Sequence, residues 1–157
     1  MLKFAVHLVL CEPEIPWNTG NIGRTCVAAG ATLHLIKPLG FRIDERDIRR
    51  SGLDYWPRLK LVLHDGLEEF LASLPPVPPI LVFTTKARVS FRNASYRPDS
   101  YLLFGRESSG LPEAVLHRFR ASLYRIPMVP EARSLNLSTS AAVVLYEALR
   151  QTGSDPA

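Results

Sequence analysis

Residues 5–36, AVHLVLCEPEIPWNTGNIGRTCVAAGATLHLI, contain the pattern that decides the fold of this chain. Residues 5–10 form a short apolar run bounded by turn-forming residues, which predicts a buried strand. A segment rich in proline and glycine follows, and apolar residues at helical spacing then predict a helix that stops at Gly30. Thr32–Ile36 alternates as a strand does. The whole segment therefore has the size of one β-α-β unit.

The alternation of strand and helix continues along the rest of the chain. Asn18 or Thr19 is the predicted N-cap of the first helix, and Asn136 or Ser138 that of the last. Further strands are predicted at 59–63, 80–84, 101–104 and 123–126, and further helices at 44–50, 67–74, 112–118 and from the last cap to 150. This pattern predicts an α/β protein with a mostly parallel sheet flanked by helices. The length predicts one domain over residues 1–157, with a frayed tail at 152–157.

The composition is that of a globular protein without a membrane span or a metal centre. Of the 157 residues, 46% are hydrophobic and 22% are charged, and no apolar run approaches the roughly 18 residues that a membrane helix needs. Cys11 and Cys26 are too few for a disulfide framework, so we expect them to be buried in a reducing cytoplasm. The four histidines lack the spacing of metal ligands.

Most of the positive charge is carried by arginine. The formal net charge is +4, with fifteen arginines against four lysines. The planar guanidinium can donate two parallel hydrogen bonds to a phosphate. Basic residues cluster at 42–50, 86–97 and 118–125. On charge alone, a nucleic-acid partner and a merely soluble, arginine-rich surface are equally good interpretations.

The first of three unusual loops lies at residues 13–24, after the first predicted strand. Open parallel sheets bind ligands at the carboxyl ends of their strands. Here Asn18 and Asn21 offer donors and acceptors, and Arg24 lies one turn into a helix whose N-terminus attracts anions. The spacing of Gly20 and Gly23 is not a dinucleotide-binding fingerprint.

The other two loops follow later strands. Gly105 comes directly after an apolar strand, where a glycine lets a ligand approach the backbone, and the loop at 103–112 lacks the Gly-Lys-Ser/Thr element of a phosphate loop. The loop at 126–138 has two prolines and a small polar cluster before the last helix. Its length favours a functional role over a simple capped connection.

These three loops, in this order, resemble the motifs of the SPOUT superfamily of RNA methyltransferases. Residues 18–24, 104–112 and 126–138 resemble its first, second and third motifs. The likeness is strongest to the small TrmL-type enzymes, which act on a ribose 2′-hydroxyl of the tRNA wobble nucleotide. Segments 12–16, 52–55 and 84–86 match as well. The resemblance implies a C-terminal trefoil knot, S-adenosyl-L-methionine as cofactor, and a cytoplasmic homodimer that needs no metal and no membrane.

The resemblance also assigns roles to individual residues. The residues that it implies for cofactor binding are Phe83, Gly105, Ile126, Met128, Ser134 and Leu135. Those that it implies for catalysis are Arg24 and Asn136. Those that it implies for RNA contact are Asn18, Lys86, Arg133 and Tyr146. Phe83 is aromatic, although it stands at an apolar contact of the family.

The implied reaction methylates the 2′-hydroxyl of a cytidine or modified uridine at position 34, in the anticodon stem-loop of tRNA. The methyl donor is already a reactive sulfonium, so the chemistry requires no metal, but oxygen and methyl must be held in line. A guanidinium keeps its proton up to about pH 12. We therefore expect Arg24 to stabilise the developing alkoxide as a cation, while a phosphate or water takes the proton.

Three alternatives remain at this point. The acceptor could be another tRNA ribose or a ribosomal RNA ribose. A non-catalytic RNA-binding protein on the same fold would be expected to have lost Arg24, Gly105 or Asn136, and all three are present. A nicotinamide- or nucleotide-binding α/β protein would be expected to carry a fingerprint that this chain lacks.

Overall fold

Seven strands form one sheet in the part of the chain that the computed structural model describes, residues 5–44, 46 and 54–157. In chain order they are β1 (His7–Cys11), β2 (Thr32–Ile36), β3 (Leu61–His64), β4 (Ile80–Phe83), β5 (Val89–Ser90), β6 (Tyr101–Phe104) and β7 (Leu123–Arg125). Their order across the sheet is β3-β2-β1-β6-β4-β7-β5, and every pairing is parallel. The predicted parallel α/β fold is confirmed.

The central strands are mostly apolar because both faces of the sheet are covered. Val9 of β1 lies opposite His34 of β2 on one side and Leu103 of β6 on the other. All four residues of β6 are buried. Near-continuous apolar runs of this kind are typical of parallel strands between two helical layers.

Four α-helices within the described residues cover the two faces of the sheet in pairs. They are α1 (Pro16–Ala29), α2 (Leu67–Ala72), α3 (Glu113–Arg118) and α4 (Leu137–Thr152). Ile22 of α1 and Val144 of α4 share one apolar cluster with Leu8 of the sheet. Phe70 of α2 shares the opposite cluster with Val9. Because neighbouring strand residues point to opposite faces, β1 contributes to both layers.

The first helix begins earlier than the predicted cap at Asn18 or Thr19. It starts at Pro16, after an N-cap at Ile15. Proline suits the first helical position because its fixed φ is already helical and its missing N–H has no partner to lose there. Asn18 and Thr19 consequently lie within the helix and are buried. Gly30 ends the helix with a φ of 72°, as predicted.

The last helix confirms one of its two candidate caps. The Asn136 side chain accepts hydrogen bonds from the backbone N–H groups of Ser138 and Thr139, at 2.8 and 3.3 Å. Asn136 is therefore the cap, and the helix ends at Gly153.

The short strand Val89–Ser90 was not predicted, since two residues carry no periodic signal. The predicted helix at 44–50 lies largely outside the described residues.

Three histidines form a hydrogen-bonded row across β1, β2 and β3. His34 Nε2 lies 2.9 Å from Nδ1 of His7, and His34 Nδ1 lies 2.9 Å from Nε2 of His64. The row lies beneath α2, where the ring of Phe70 contacts both His34 and His64. Burial, together with the charges of the two neighbouring histidines, lowers the pKa of His34 to about 3. The central ring is therefore neutral at neutral pH.

Neither a metal cluster nor a membrane span is found in the described part of the chain. No group of histidine, cysteine, aspartate and glutamate side chains there is arranged to hold a metal ion. None of the described helices is both long enough and apolar enough to cross a bilayer.

Candidate active site

A cavity of about 480 Å³ opens at the carboxyl ends of β4, β6 and β7. Its wall is built from the segments that directly follow these strands, at 83–86, 104–111 and 126–137, together with the start of α1. This is the edge at which parallel sheets bind their ligands. Two of the three loops singled out in the sequence contribute most of the wall, and the first loop contributes Ile15 and Asn18.

The cavity brings together most of the residues that the sequence predicted for the site. All six predicted cofactor contacts line it: Phe83, Gly105, Ile126, Met128, Ser134 and Leu135. Asn136 and three of the predicted RNA contacts also line it: Asn18, Lys86 and Arg133. These residues come from four separate segments of the chain, so their convergence is a property of the fold. Their individual roles stay predictions.

Gly105 is required by the path of the chain itself. A Cβ atom at this position would lie 2.4 Å from the carbonyl carbon of Gly110 and 2.5 Å from the nitrogen of Leu111. The loop closes on itself, because the N–H of Arg106 donates to Gly110 O at 3.1 Å and the N–H of Gly110 donates to Arg106 O at 2.9 Å. Gly105 therefore has a structural role in addition to the ligand approach that was predicted for it.

Glu12, which directly precedes the first loop, and Glu14 within it both bind the second loop. The guanidinium of Arg106 donates to the Glu12 carboxylate, through Nε at 2.8 Å. Ser108 donates to Glu14 Oε1 from its backbone N–H at 3.0 Å and from its hydroxyl at 2.7 Å. The hydrogen bonds from the Ser108 hydroxyl and backbone lower the pKa of Glu14 below its usual value. An ionised carboxylate therefore joins the two loops at neutral pH.

Glu107 makes the reciprocal contact from the second loop to the first. Its carboxylate accepts the backbone N–H of Glu14 at 2.9 Å and that of Ile15 at 2.5 Å. Ile15 is the N-cap of α1 and its side chain cannot cap, so Glu107 supplies an acceptor there. A negative charge is favourable at a helix N-terminus. This role of Glu107 was not predicted, because its partners lie 92 and 93 residues away in the sequence.

Asn18 and Asn136 connect the N-terminal ends of α1 and α4. Asn136 Nδ2 donates to Asn18 Oδ1 at 3.2 Å, while Asn136 Oδ1 caps α4. Asn18 is only 3% exposed. Its burial and its bond to Asn136 favour a role in joining the two helices over a direct contact with RNA.

Arg24 and Tyr146 are the two predicted site residues that lie outside the cavity wall. Arg24 is on α1, six residues after Asn18, and its guanidinium carbon lies 5.4 Å from the centre of the Tyr55 ring. Tyr146 is on α4 and is 45% exposed. Arg24, the cation predicted to take part in catalysis, therefore does not contribute to the cavity wall within one chain.

The sequence and the structure are similar to those of known RNA methyltransferases. The model of a family described as the SpoU rRNA methylase family matches residues 5–146. The tRNA (cytidine(34)-2′-O)-methyltransferase of Burkholderia pseudomallei strain 1106a is 44% identical over 149 residues, which cover 94% of this chain and 96% of that protein. The likeness therefore extends over nearly the full length of both chains.

Two solved structures are similar in fold. One, described as giving structural insights into the 2-OH methylation of C/U34 on tRNA, superimposes with a TM-score of 0.91 and 47% identity, over 96% of this chain and 97% of that chain. The other is an AdoMet-bound rRNA methyltransferase from Sinorhizobium meliloti, with a TM-score of 0.85 and 26% identity, over 96% of this chain and 57% of that chain.

Proposed function

Because the chain belongs to the SpoU rRNA methylase family, as its motifs predicted, we propose that it transfers a methyl group from S-adenosylmethionine to the ribose 2′-hydroxyl of nucleotide 34 in tRNA. The acceptor is a cytidine or a modified uridine. The observation that carries this proposal is the near-full-length similarity to a tRNA (cytidine(34)-2′-O)-methyltransferase. The structural neighbour concerned with methylation of C/U34 supports it independently.

The cavity suits S-adenosylmethionine in size and in lining. Its volume of about 480 Å³ falls within the range of roughly 300–1,000 Å³ that is typical of small-molecule sites. Leu135 offers an apolar surface, and Ser134 offers a hydroxyl. The ring of Phe83 stacks on Phe104 at 5.1 Å and is mostly buried, so only its edge can serve as an apolar contact. When bound, the cofactor supplies an electrophilic methyl group.

The acceptor side of the reaction is assigned to α1. Asn18 lines the cavity and Arg24 follows on the same helix, six residues later, which is about 9 Å along the axis at 1.5 Å per residue. Arg24 then stabilises the alkoxide that develops on the 2′-oxygen. Asn136 acts by fixing the N-terminal ends of α1 and α4 relative to each other, because it hydrogen-bonds to Asn18 and caps its own helix.

RNA is bound by the basic residues at the cavity mouth. Lys86 and Arg133 line the cavity and are exposed. Lysine and arginine contacts to phosphates fix the position of a nucleic acid without reading its sequence. In this arrangement the anticodon stem-loop lies across the mouth, with the ribose of nucleotide 34 directed towards Arg24.

A second copy of the chain is the proposed partner. Trp17 on α1 and Val143 and Tyr146 on α4 are exposed, the first of them by 56%. These helices pack against each other, so a homodimer formed through them would cover apolar side chains next to the site. The unpaired, buried Cys11 and Cys26 fit the cytoplasm, where thiols stay reduced.

The trefoil knot implied by the resemblance stays a prediction. Its support is the position of β4, which lies between β6 and β7 although both come later in the chain. The chain therefore returns to insert a strand on each side of β4, and the segments that follow those two strands form the cavity wall.

The test of the function is a methylation assay with mapping of the product. The protein is incubated with methyl-labelled S-adenosylmethionine and bulk tRNA, and in parallel with ribosomal RNA. We expect label in tRNA, on the ribose of nucleotide 34. Label confined to ribosomal RNA, or to another tRNA ribose, would contradict the proposed acceptor while leaving the chemistry intact. Absence of label in both RNAs would contradict the enzymatic assignment.

A further inference from the structure

Tyr55 contacts one face of α1 through both its ring and its hydroxyl. Its side chain is buried, and the hydroxyl donates to the carbonyl oxygen of Gly20 at 2.7 Å. The ring lies beneath the guanidinium of Arg24, and its centre is 5.4 Å from Arg24 Cζ. Gly20 and Arg24 are four residues apart, so they occupy the same face of the helix.

Gly23 lets the chain around Tyr55 come close to the helix. A Cβ atom at Gly23 would lie 3.2 Å from Leu59 Cδ2 and 3.4 Å from the Trp56 ring. The spacing of Gly20 and Gly23, which is not a nucleotide-binding fingerprint, therefore serves packing. It creates a shallow surface on α1 that receives the segment at 55–59.

An aromatic ring suits an arginine that must keep its full charge. A guanidinium is attracted to the face of a tyrosine ring by the ring quadrupole. A carboxylate partner would hold the group as well, but it would offset the positive charge and occupy N–H donors. The ring restrains the side chain without either effect. Arg24 is exposed, so without a restraint its side chain would sample many rotamers.

We propose that Tyr55 is a positioning residue for Arg24. The ring holds the guanidinium in the orientation that meets the ribose, and the hydroxyl bond to Gly20 fixes the ring to the helix. This inference rests on the proposed role of Arg24 in stabilising the alkoxide. It assigns to Tyr55 an effect on kcat that operates through Arg24 and not through cofactor binding.

The first experiment compares two substitutions at Tyr55. Tyr55→Leu removes the ring, and kcat for methyl transfer is expected to fall roughly 3- to 30-fold, the range that a lost cation–π contact provides. The Kd values for S-adenosylmethionine and for tRNA are expected to stay within about twofold of the parent. Tyr55→Phe keeps the ring and should retain kcat within about threefold.

Tyr96→Leu is the matched control. Tyr96 is half-buried and, like that of Tyr55, its hydroxyl donates to a backbone carbonyl, that of Phe91, at 2.7 Å. Its loss lowers the melting temperature as loss of Tyr55 does, but it leaves Arg24 untouched. We expect kcat of Tyr96→Leu to equal that of the parent at a temperature where both are folded. A loss of kcat as large as that of Tyr55→Leu would overturn the inference, because destabilisation alone would then explain both.

A measurement on the unmodified protein covers the case in which Tyr55→Leu does not fold. The Nε–H proton of Arg24 should be shifted upfield in the NMR spectrum by the ring current of Tyr55, and the shift should persist in Tyr55→Phe. A random-coil shift would overturn the inference.

Arg24→Ala separates this inference from the proposed function. We expect it to lose turnover and still bind S-adenosylmethionine. An inactive Arg24→Ala beside a fully active Tyr55→Leu would overturn only the role of Tyr55. An active Arg24→Ala would overturn the role of Arg24 and the inference with it.

Discussion

The polar contacts at the edge of the sheet differ in charge and in burial from those beneath α2. At the edge, the carboxylates of Glu14 and Glu107 join two loops through backbone N–H groups and a serine hydroxyl. Beneath α2, His7, His34 and His64 contact one another. The first set is exposed to solvent or partly buried, and it carries charge. The second lies in the core, where burial lowers the pKa of His34 to about 3.

Charged hydrogen bonds and neutral histidine contacts are suited to different surroundings. A hydrogen bond to an ionised group is strong, but its charge must remain partly solvated or well paired. The loop edge meets this condition, and it needs strong contacts because no apolar layer covers it. The histidine row lies between apolar side chains and can stay there only while the central ring is neutral. As the pH falls, the free energy of unfolding should therefore decrease first through protonation of the unfolded chain at His34, and only at lower pH through protonation of Glu14.

The largest expected effect comes from Gly105→Ala, which breaks the edge. The added Cβ would collide with backbone atoms of Gly110 and Leu111 and force the second loop open. We expect a loss of more than about 2 kcal/mol in the free energy of unfolding, together with loss of S-adenosylmethionine binding. Urea denaturation and calorimetric titration measure the two. Gly66→Ala is the control, since a Cβ there meets nothing within 4 Å, and equal losses in both variants would refute the steric argument.

Glu107→Ala removes the acceptor at the start of α1. The N–H groups of Glu14 and Ile15 lose their partner, and the helix loses a favourable charge at its N-terminus. The expected cost is about 1–2 kcal/mol, at the lower end for a charged hydrogen bond because Glu107 is partly exposed. Glu107→Gln keeps one acceptor and should cost about half as much in urea denaturation. A Glu107→Ala variant as stable as the parent would show that water replaces the carboxylate.

Acid tests the histidine row. The pKa of folded His34, about 3, lies below the ordinary value of 6.5, so the unfolded chain binds more protons between these values. The contribution of neutral His34 to the free energy of unfolding is therefore largest well above pH 6.5. It falls as the pH decreases, by up to about 1.4 kcal/mol per pH unit. Between pH 6.5 and 5 we expect the free energy of unfolding to fall by about 1.6 kcal/mol.

His34→Leu should flatten this pH dependence, whereas His117→Gln should leave it unchanged because His117 is exposed. Urea denaturation at several pH values compares the three proteins. A parent protein with constant stability from pH 7.5 to 5 would mean that the row tolerates the charge.

The smallest expected effect concerns salt and the charged edge. If Lys86 and Arg133 contact phosphates, the affinity for tRNA should fall linearly with salt on a log–log plot. Arg133→Ala should reduce that slope by about 1. Filter binding at 50–200 mM salt measures it. Arg150→Ala is the control, because Arg150 lies at the end of α4 that is far from the cavity. An equal change in both slopes would mean that the RNA does not bind at the cavity mouth.

The element order, the parallel sheet and the loops of the site were predictable from local signals. Apolar runs, glycine stops and proline-rich loops depend on neighbours in the chain, so Thr32–Ile36 and Tyr101–Phe104 were predicted to the residue. The start of α1 was missed because two signals competed there. Asn18 and Thr19 are good caps, but Pro16 fits the first turn better.

From the sequence, three loops could be expected at one edge of a parallel sheet, together with ten of the twelve predicted site residues that line a cavity there. How those loops are held together depends on the folded chain. Glu107 reaches Ile15 across 92 residues, and His34 meets two other strands, because strand order in a parallel sheet differs from chain order. The position of Arg24, over Tyr55 and outside the cavity, is a result of the same kind. Contacts between distant segments leave no periodic trace in the chain, so they become visible only when the chain is folded.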